Sequence, residues 1–174
     1  MVELILLSLP SLVYLAVRRR HLRDARRIVG LTWPRASEFA IALGVGVALW
    51  GAGWAVYRLI PADVLNRPGV IVVQASAVGV LGACARAVGE EMLFRGFLQG
   101  LLVKRFGFAL GNLAQAVLFL VPHLLLLSID TRLWPIVPVQ AISGWVLGWL
   151  RHRSDSISGP ALVHALVNVS MLLR

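Results

Sequence analysis

The 174-residue chain has one cysteine, only eight acidic residues, and no polar stretch long enough to build a soluble domain. The lone Cys84 lies in an apolar run, so neither a disulfide nor a thiolate metal site follows from it, and it reads as a structural thiol. Against the eight acids stand 17 lysines and arginines, a net charge of +9. That excess does not point to nucleic acid, because of where it sits. Arg18, Arg19, Arg20, Arg23, Arg26, Arg27 and Arg35 cluster between two apolar segments. Arginines so placed set orientation and meet anionic lipid head groups, and no nucleic-acid partner is expected. No positive charge precedes the first apolar run, residues 2–17, so the pattern of a signal peptide is missing. Internal repeats and low-complexity tracts are absent as well.

What the chain does have is apolar sequence. It is 59% hydrophobic with a mean hydropathy of +0.82, where soluble domains run near 45–50% apolar. This predicts an integral membrane protein, all-α, a single polytopic bundle over residues 1–174. About six spans are expected. Residues 2–17 are short for a span, and residues 36–60 are rich in glycine and alanine, which suits close helix packing. A break follows over Pro61–Asp63 and Asn66–Gly69. Residues 70–103 then carry no proline. As one helix they would reach roughly 51 Å, so they must tilt, break, or run past a core of roughly 30 Å. Further spans are read at 108–129, 133–150 (with Trp134 and Trp149 near its ends) and 157–173. With the N-terminus outside, eleven basic residues fall in inner loops (the seven above with Lys104, Arg105, Arg151 and Arg153) and four in outer ones, the expected bias.

Inside these spans sit groups that lipid disfavours: Arg86, Glu90, Glu91, Arg95, His123, His164 and Asn168. Glu90 is roughly 21 Å of helix from Lys104, and His164 roughly 16 Å from Arg153. His123 lies at a comparable remove from Arg105. Three separate segments therefore bring polar side chains to one depth, which favours one shared site. Glu91 and Arg95 are four apart and can pair. Glu90 is turned about 100° from Glu91 and is the freer carboxylate, suited to general-base work. Arg86, four residues before Glu90, could instead pair with it. His164 and Asn168, again four apart, present two donors suited to a developing oxyanion.

Taken together, Glu90-Glu91-x-x-x-Arg95, Phe119-x-x-x-His123 and His164-x-x-x-Asn168 resemble the CPBP intramembrane protease family. That family includes the CAAX-prenyl endoproteases and the bacteriocin-processing or immunity (Abi-like) proteins. The resemblance covers about residues 82–172, and Arg86 lies outside its pattern. It implies that Glu90 activates a water with help from His123, that Glu91 holds the site through Arg95, and that His164 and Asn168 steady the oxyanion. It implies a membrane-anchored, prenylated or C-terminal-tail substrate and a prokaryotic cytoplasmic membrane. A non-catalytic immunity or binding protein that kept the site is the alternative. No cofactor is expected, since the helix-borne H-E-x-x-H zinc signature is missing. The competing arrangement is a zinc held by Glu90, His123 and His164. Plainer roles stand beside these: Glu91–Arg95 as a structural ion pair, Asn168 as a bond between helices, and Phe119 as packing for His123.

Overall fold

The computed structural model describes residues 2–67, 70 and 76–172, and among these every regular element is helical. Nine α-helices follow in order: α1 (Val2–Val17), α2 (Leu22–Ile28), α3 (Ala36–Tyr57), α4 (Ala62–Leu65), α5 (Ala77–Glu91), α6 (Gln99–Leu124), α7 (Leu126–Ile129), α8 (Ile136–Ser154) and α9 (Ser158–Leu172). Between α5 and α6 the chain widens into a π-helical segment, Met92–Leu98. Two helical stretches are long and apolar enough to cross a membrane, Ala36–Tyr57 and Ala77–Ile129, and α1 is a shorter apolar helix. Large apolar side chains such as Val47, Leu81, Leu110 and Val121 point outward and are more than half exposed. That is the surface an integral membrane protein presents to lipid.

The long prolineless segment resolves into particular devices. Helix α5 starts at Ala77, where the Ser76 side chain caps it by accepting from the Gly79 amide at 3.1 Å. Residues 71–75, and Pro68–Gly69 of the loop before them, lie outside the described residues, as does Arg174. The far end is set by Gly107, whose φ of 76° and ψ of 172° only glycine adopts readily. There α6 folds back on itself: a Cβ on Gly111 would press against the Val103 backbone at 2.6 Å, and Gln99 reaches Asn112. The stretch from 77 to 129 is therefore a helical hairpin, and the break expected before residue 108 is present.

Packing of the two hairpin arms places the site. α6 lies along α8, α5 along α9, and α3 against both α8 and α9, where Ala42, Leu49, Leu147, Leu150 and Val163 form an apolar core. α1 lies against α5 and the π-helical segment. The α6–α8 contact is polar within. Gln99, Asn112 and Gln115 are fully buried, and their amides donate to the carbonyls of Gly148, Trp145 and Gly144 at 2.7, 3.1 and 2.8 Å. None of these three was among the intramembrane polar groups read from the sequence, although each stands in an apolar run. Close approach requires that Gly144 and Gly148 lack side chains, since a Cβ on Gly148 would overlap Asn112 Oδ1. Gly148→Ala should therefore cost about 1–3 kcal/mol through overpacking. Gly51→Ala, where nothing lies within 4 Å, should cost nothing or stabilise slightly. Thermal unfolding of the two variants in detergent would check this, and equal midpoints would refute the packing account.

Candidate active site

Glu90 and Glu91 end α5, just before the π-helical segment. Their separation around the helix sends them to different places. Glu91 turns inward and is fully buried, while the Glu90 carboxylate keeps 19% exposure and lines a cavity of about 360 Å³. Arg86, His123, His164, Asn168, Gln140 and Ser143 also line this cavity, with apolar residues of α3, α8 and α9 completing its wall. His123 and His164 thus meet Glu90 at one cavity, as their matched depths predict.

The buried layer holds the cavity in shape. Glu91 Oε1 accepts from Arg95 Nη1 and from His164 Nδ1, each at 2.8 Å, so one carboxylate oxygen joins α5, the π-helical segment and α9. Arg95 is itself fully buried. Its second nitrogen reaches the Gly144 carbonyl at 3.5 Å, and its guanidinium lies over the Phe119 ring at 4.1 Å. Phe119 packs edge-on against Phe94 and His164 and lies 4.7 Å from His123 between ring centres, so it aligns both histidines.

The π-helical segment is anchored from three sides. Ser11 of α1 donates to the Met92 carbonyl at 2.7 Å, and Arg151 of α8 donates to the Arg95 carbonyl at 3.1 Å. The same guanidinium reaches the carbonyls of Arg27 and Ile28. Gly96 lets the Val29 carbonyl and Ser11 approach to where a Cβ would meet them at 3.0 and 3.1 Å. Arg151, counted among the loop arginines in the sequence, is a buried tether, and α1, which carries no motif, supplies Ser11. A π-helical turn inserts one residue into the ladder and is often found at functional sites.

The partners of the histidines decide their free atoms. His123 Nδ1 lies 2.8 Å from the Phe119 carbonyl, which can only accept, so Nδ1 carries the proton and Nε2 is left for other contacts. His164 Nδ1 faces the Glu91 carboxylate and is likewise the donor. Its Nε2 points at Glu90 Oε2 from 3.7 Å, too long for a hydrogen bond but within reach of charge attraction when the ring is protonated. Asn168 lines the cavity one turn along from His164.

Arg86 does not pair with Glu90. It forms a two-pronged ion pair with Glu3 of α1 at 2.8 and 2.9 Å. A partner 83 residues away has replaced the one four residues away, and among the described residues no guanidinium pairs with Glu90. As for a metal, no three His, Cys, Asp or Glu side chains among the described residues are gathered closely enough to hold one. Each histidine has its Nδ1 engaged, which leaves both Nε2 atoms free, so Glu90, His123 and His164 are the residues that would hold a metal if the reaction used one.

The family model for Rce1-like type II CAAX prenyl endopeptidases matches residues 71–170, more than half of the chain and all three motifs. Neither a curated protein nor a solved structure matches it. The chain belongs to the Rce1-like type II CAAX prenyl endopeptidases, a branch of the intramembrane protease family that its motifs resemble.

Proposed function

We propose that this protein is an intramembrane endopeptidase of the glutamic type, cutting a membrane-anchored, prenylated or C-terminal-tail substrate in or next to the bilayer. The observation that carries this reading is Glu90 itself: a carboxylate freed from Arg86, facing a cavity with His123, His164 and Asn168 around it. Glu90 takes a proton from a water, whose oxygen attacks the scissile carbonyl carbon. His123, held by the Phe119 carbonyl, helps orient that water through Nε2. Asn168 donates to the oxyanion, as does His164 through Nε2 when its ring, held by Glu91 at Nδ1, is protonated at both nitrogens. The C–N bond then breaks as Glu90 returns the proton to the leaving nitrogen. The reading includes six spans, an N-terminus outside, a prokaryotic cytoplasmic membrane, and a site at bilayer depth. Its support is the charge distribution of the loops and the apolar outer surface.

The test needs no guess at the substrate. Protein termini are compared in membrane and secreted fractions of cells carrying wild type or Glu90→Gln at matched levels. A small set of proteins should lose one new terminus in the variant, which also names the substrates. Identical termini with folded protein present would overturn the protease reading in favour of a binding protein.

The Glu3–Arg86 pair supplies a second check. Glu3→Gln releases the guanidinium, whose nearest alternative is Glu90 one turn on. Cleavage should fall about tenfold as Glu90 loses strength as a base. Adding Arg86→Gln should restore most of it. If the double variant stays as slow as Glu3→Gln alone, the pair serves only to hold α1.

A further inference from the structure

The seven arginines between α1 and α3 are all exposed, and among the described residues none makes a side-chain hydrogen bond or ion pair. Arginines elsewhere behave otherwise: Arg67, Arg86, Arg95, Arg132, Arg151 and Arg153 each hold a carboxylate or a backbone carbonyl. Asp24 is the one acid in the stretch, so the like charges repel one another unless something outside neutralises them. The apolar side chains standing among them say what does. Val17 and Leu22 are exposed, and Trp33 is 85% exposed. A soluble acidic partner would leave these in water. The surface of a bilayer takes both kinds, anionic head groups for the guanidiniums and the acyl boundary for the tryptophan.

The inner attachment of this arginine belt gives the contact a consequence. α2 carries Arg23, Arg26 and Arg27 and fully buries only Ala25. Its last carbonyls are committed to the active-site layer. Arg151 Nη2 donates to the carbonyls of Arg27 and Ile28 at 2.9 and 2.6 Å, while its Nε holds the Arg95 carbonyl at 3.1 Å. A Cβ on Gly100 would overlap the Ile28 carbonyl, and one on Gly96 would meet the Val29 carbonyl at 3.0 Å. The end of α2 therefore lies directly on the turn that carries Arg95, which fixes Glu91 and through it His164. A helix of seven residues holds itself poorly, so its docking depends on what holds its outer face. We propose that the arginine belt binds anionic phospholipid head groups, and that this binding docks α2 on the π-helical segment and orders the active site. A lipid that binds the docked form stabilises it by mass action. This goes beyond orientation in the membrane, the general role of such arginines.

The experiment places the full chain in nanodiscs of phosphatidylcholine alone or mixed with anionic phosphatidylglycerol and follows amide hydrogen exchange. Because exchange is read and not cleavage, the result is independent of the protease reading. In the anionic discs, amides of α2 and of Met92–Leu98 should exchange about tenfold more slowly, the shift given by a ligand at ten times its Kd. Residues 51–57, at the far end of α3, should change little. Arg19→Gln, Arg20→Gln, Arg23→Gln and Arg26→Gln combined alter only exposed, unbonded side chains, and this variant should exchange alike in both discs. Lysine at the same four positions should keep most of the response, since lipid charge attracts either cation. Arg151→Lys keeps its charge but not the fork that spans α2 and Arg95, so lipid should slow α2 without slowing Met92–Leu98. Equal exchange of the wild type in both discs, or a wild-type response from the glutamine variant, would overturn the inference. So would equal slowing at residues 51–57, which would mark a general bilayer effect. If soluble polyglutamate slows exchange in phosphatidylcholine discs as phosphatidylglycerol does, the belt belongs to an acidic polypeptide and the lipid assignment falls. A full response from Arg151→Lys would remove the coupling to the site.

Discussion

Glu90→Gln is expected to lower cleavage by about 1,000-fold while the protein keeps its fold. The substitution retains size and hydrogen-bonding shape but removes the ability to take a proton, and general-base contributions of roughly 100- to 10,000-fold are usual. Stability should change little because Glu90 is only partly buried and makes no short ion pair. Among the described residues its ion-pair partner is His164 Nε2 at 3.7 Å, which is charged only when that ring is protonated. The adjacent Glu91 behaves oppositely. Its single Oε1 serves both Arg95 and His164 at 2.8 Å, so Glu91→Gln weakens two bonds of the buried layer and should reduce the yield of folded protein. Purified protein in nanodiscs, assayed for rate and thermal midpoint side by side, checks the contrast. Undiminished cleavage by Glu90→Gln would remove Glu90 from the chemistry, and an inactive Glu91→Gln protein at wild-type stability would move the reacting carboxylate one residue along.

The second large effect is on the fold. Arg95→Ala should destabilise by about 3–5 kcal/mol, the usual cost of leaving a buried charge without its partner. Here the loss is compounded. Arg95 joins Glu91 to the Gly144 carbonyl and covers the Phe119 ring, so its removal leaves Glu91 uncompensated and opens a cavity behind both histidines. Little folded protein should survive detergent size-exclusion. The pair can nevertheless be separated from the reaction it supports. Replacing both members, Glu91→Leu with Arg95→Met, leaves no buried charge and should recover much of the stability. It should not recover cleavage, since His164 loses the carboxylate that fixes its Nδ1. Recovery of both would reduce the pair to packing alone.

These two residues illustrate how much of the site was legible in the chain. A charged side chain in an apolar run is conspicuous because lipid makes it costly, so Glu90, Glu91, Arg95, His123 and His164 stand out without any structure. The Glu91–Arg95 pairing follows from the helical repeat, which holds well enough even through the π-helical turn. Gln99, Asn112 and Gln115 were missed for the complementary reason: an uncharged amide costs less in lipid than an ion and stands out less among so much leucine and valine, although glutamine and asparagine inside a span carry a weaker form of the same signal. Gln140 and Ser143 went unnoticed likewise.

The amino-acid sequence by itself determined the helical class, the breaks between segments and the set of costly side chains, because each depends on local composition and on a repeat of 3.6 residues. Even the fold-back before residue 108 is local, since it turns on the conformational freedom of Gly107. Tertiary structure alone decided which partner each charge takes. Arg86 bonds Glu3 across 83 residues, Arg151 leaves the loop set to bind carbonyls of α2, and Ser11 reaches the π-helical segment from a helix without a motif. Spacing along one helix gives a charge its candidates, but the bond goes to whichever group packing brings within 3 Å. For Glu90 that difference is decisive, because the guanidinium one turn away is drawn off to α1 and the carboxylate is left facing the cavity.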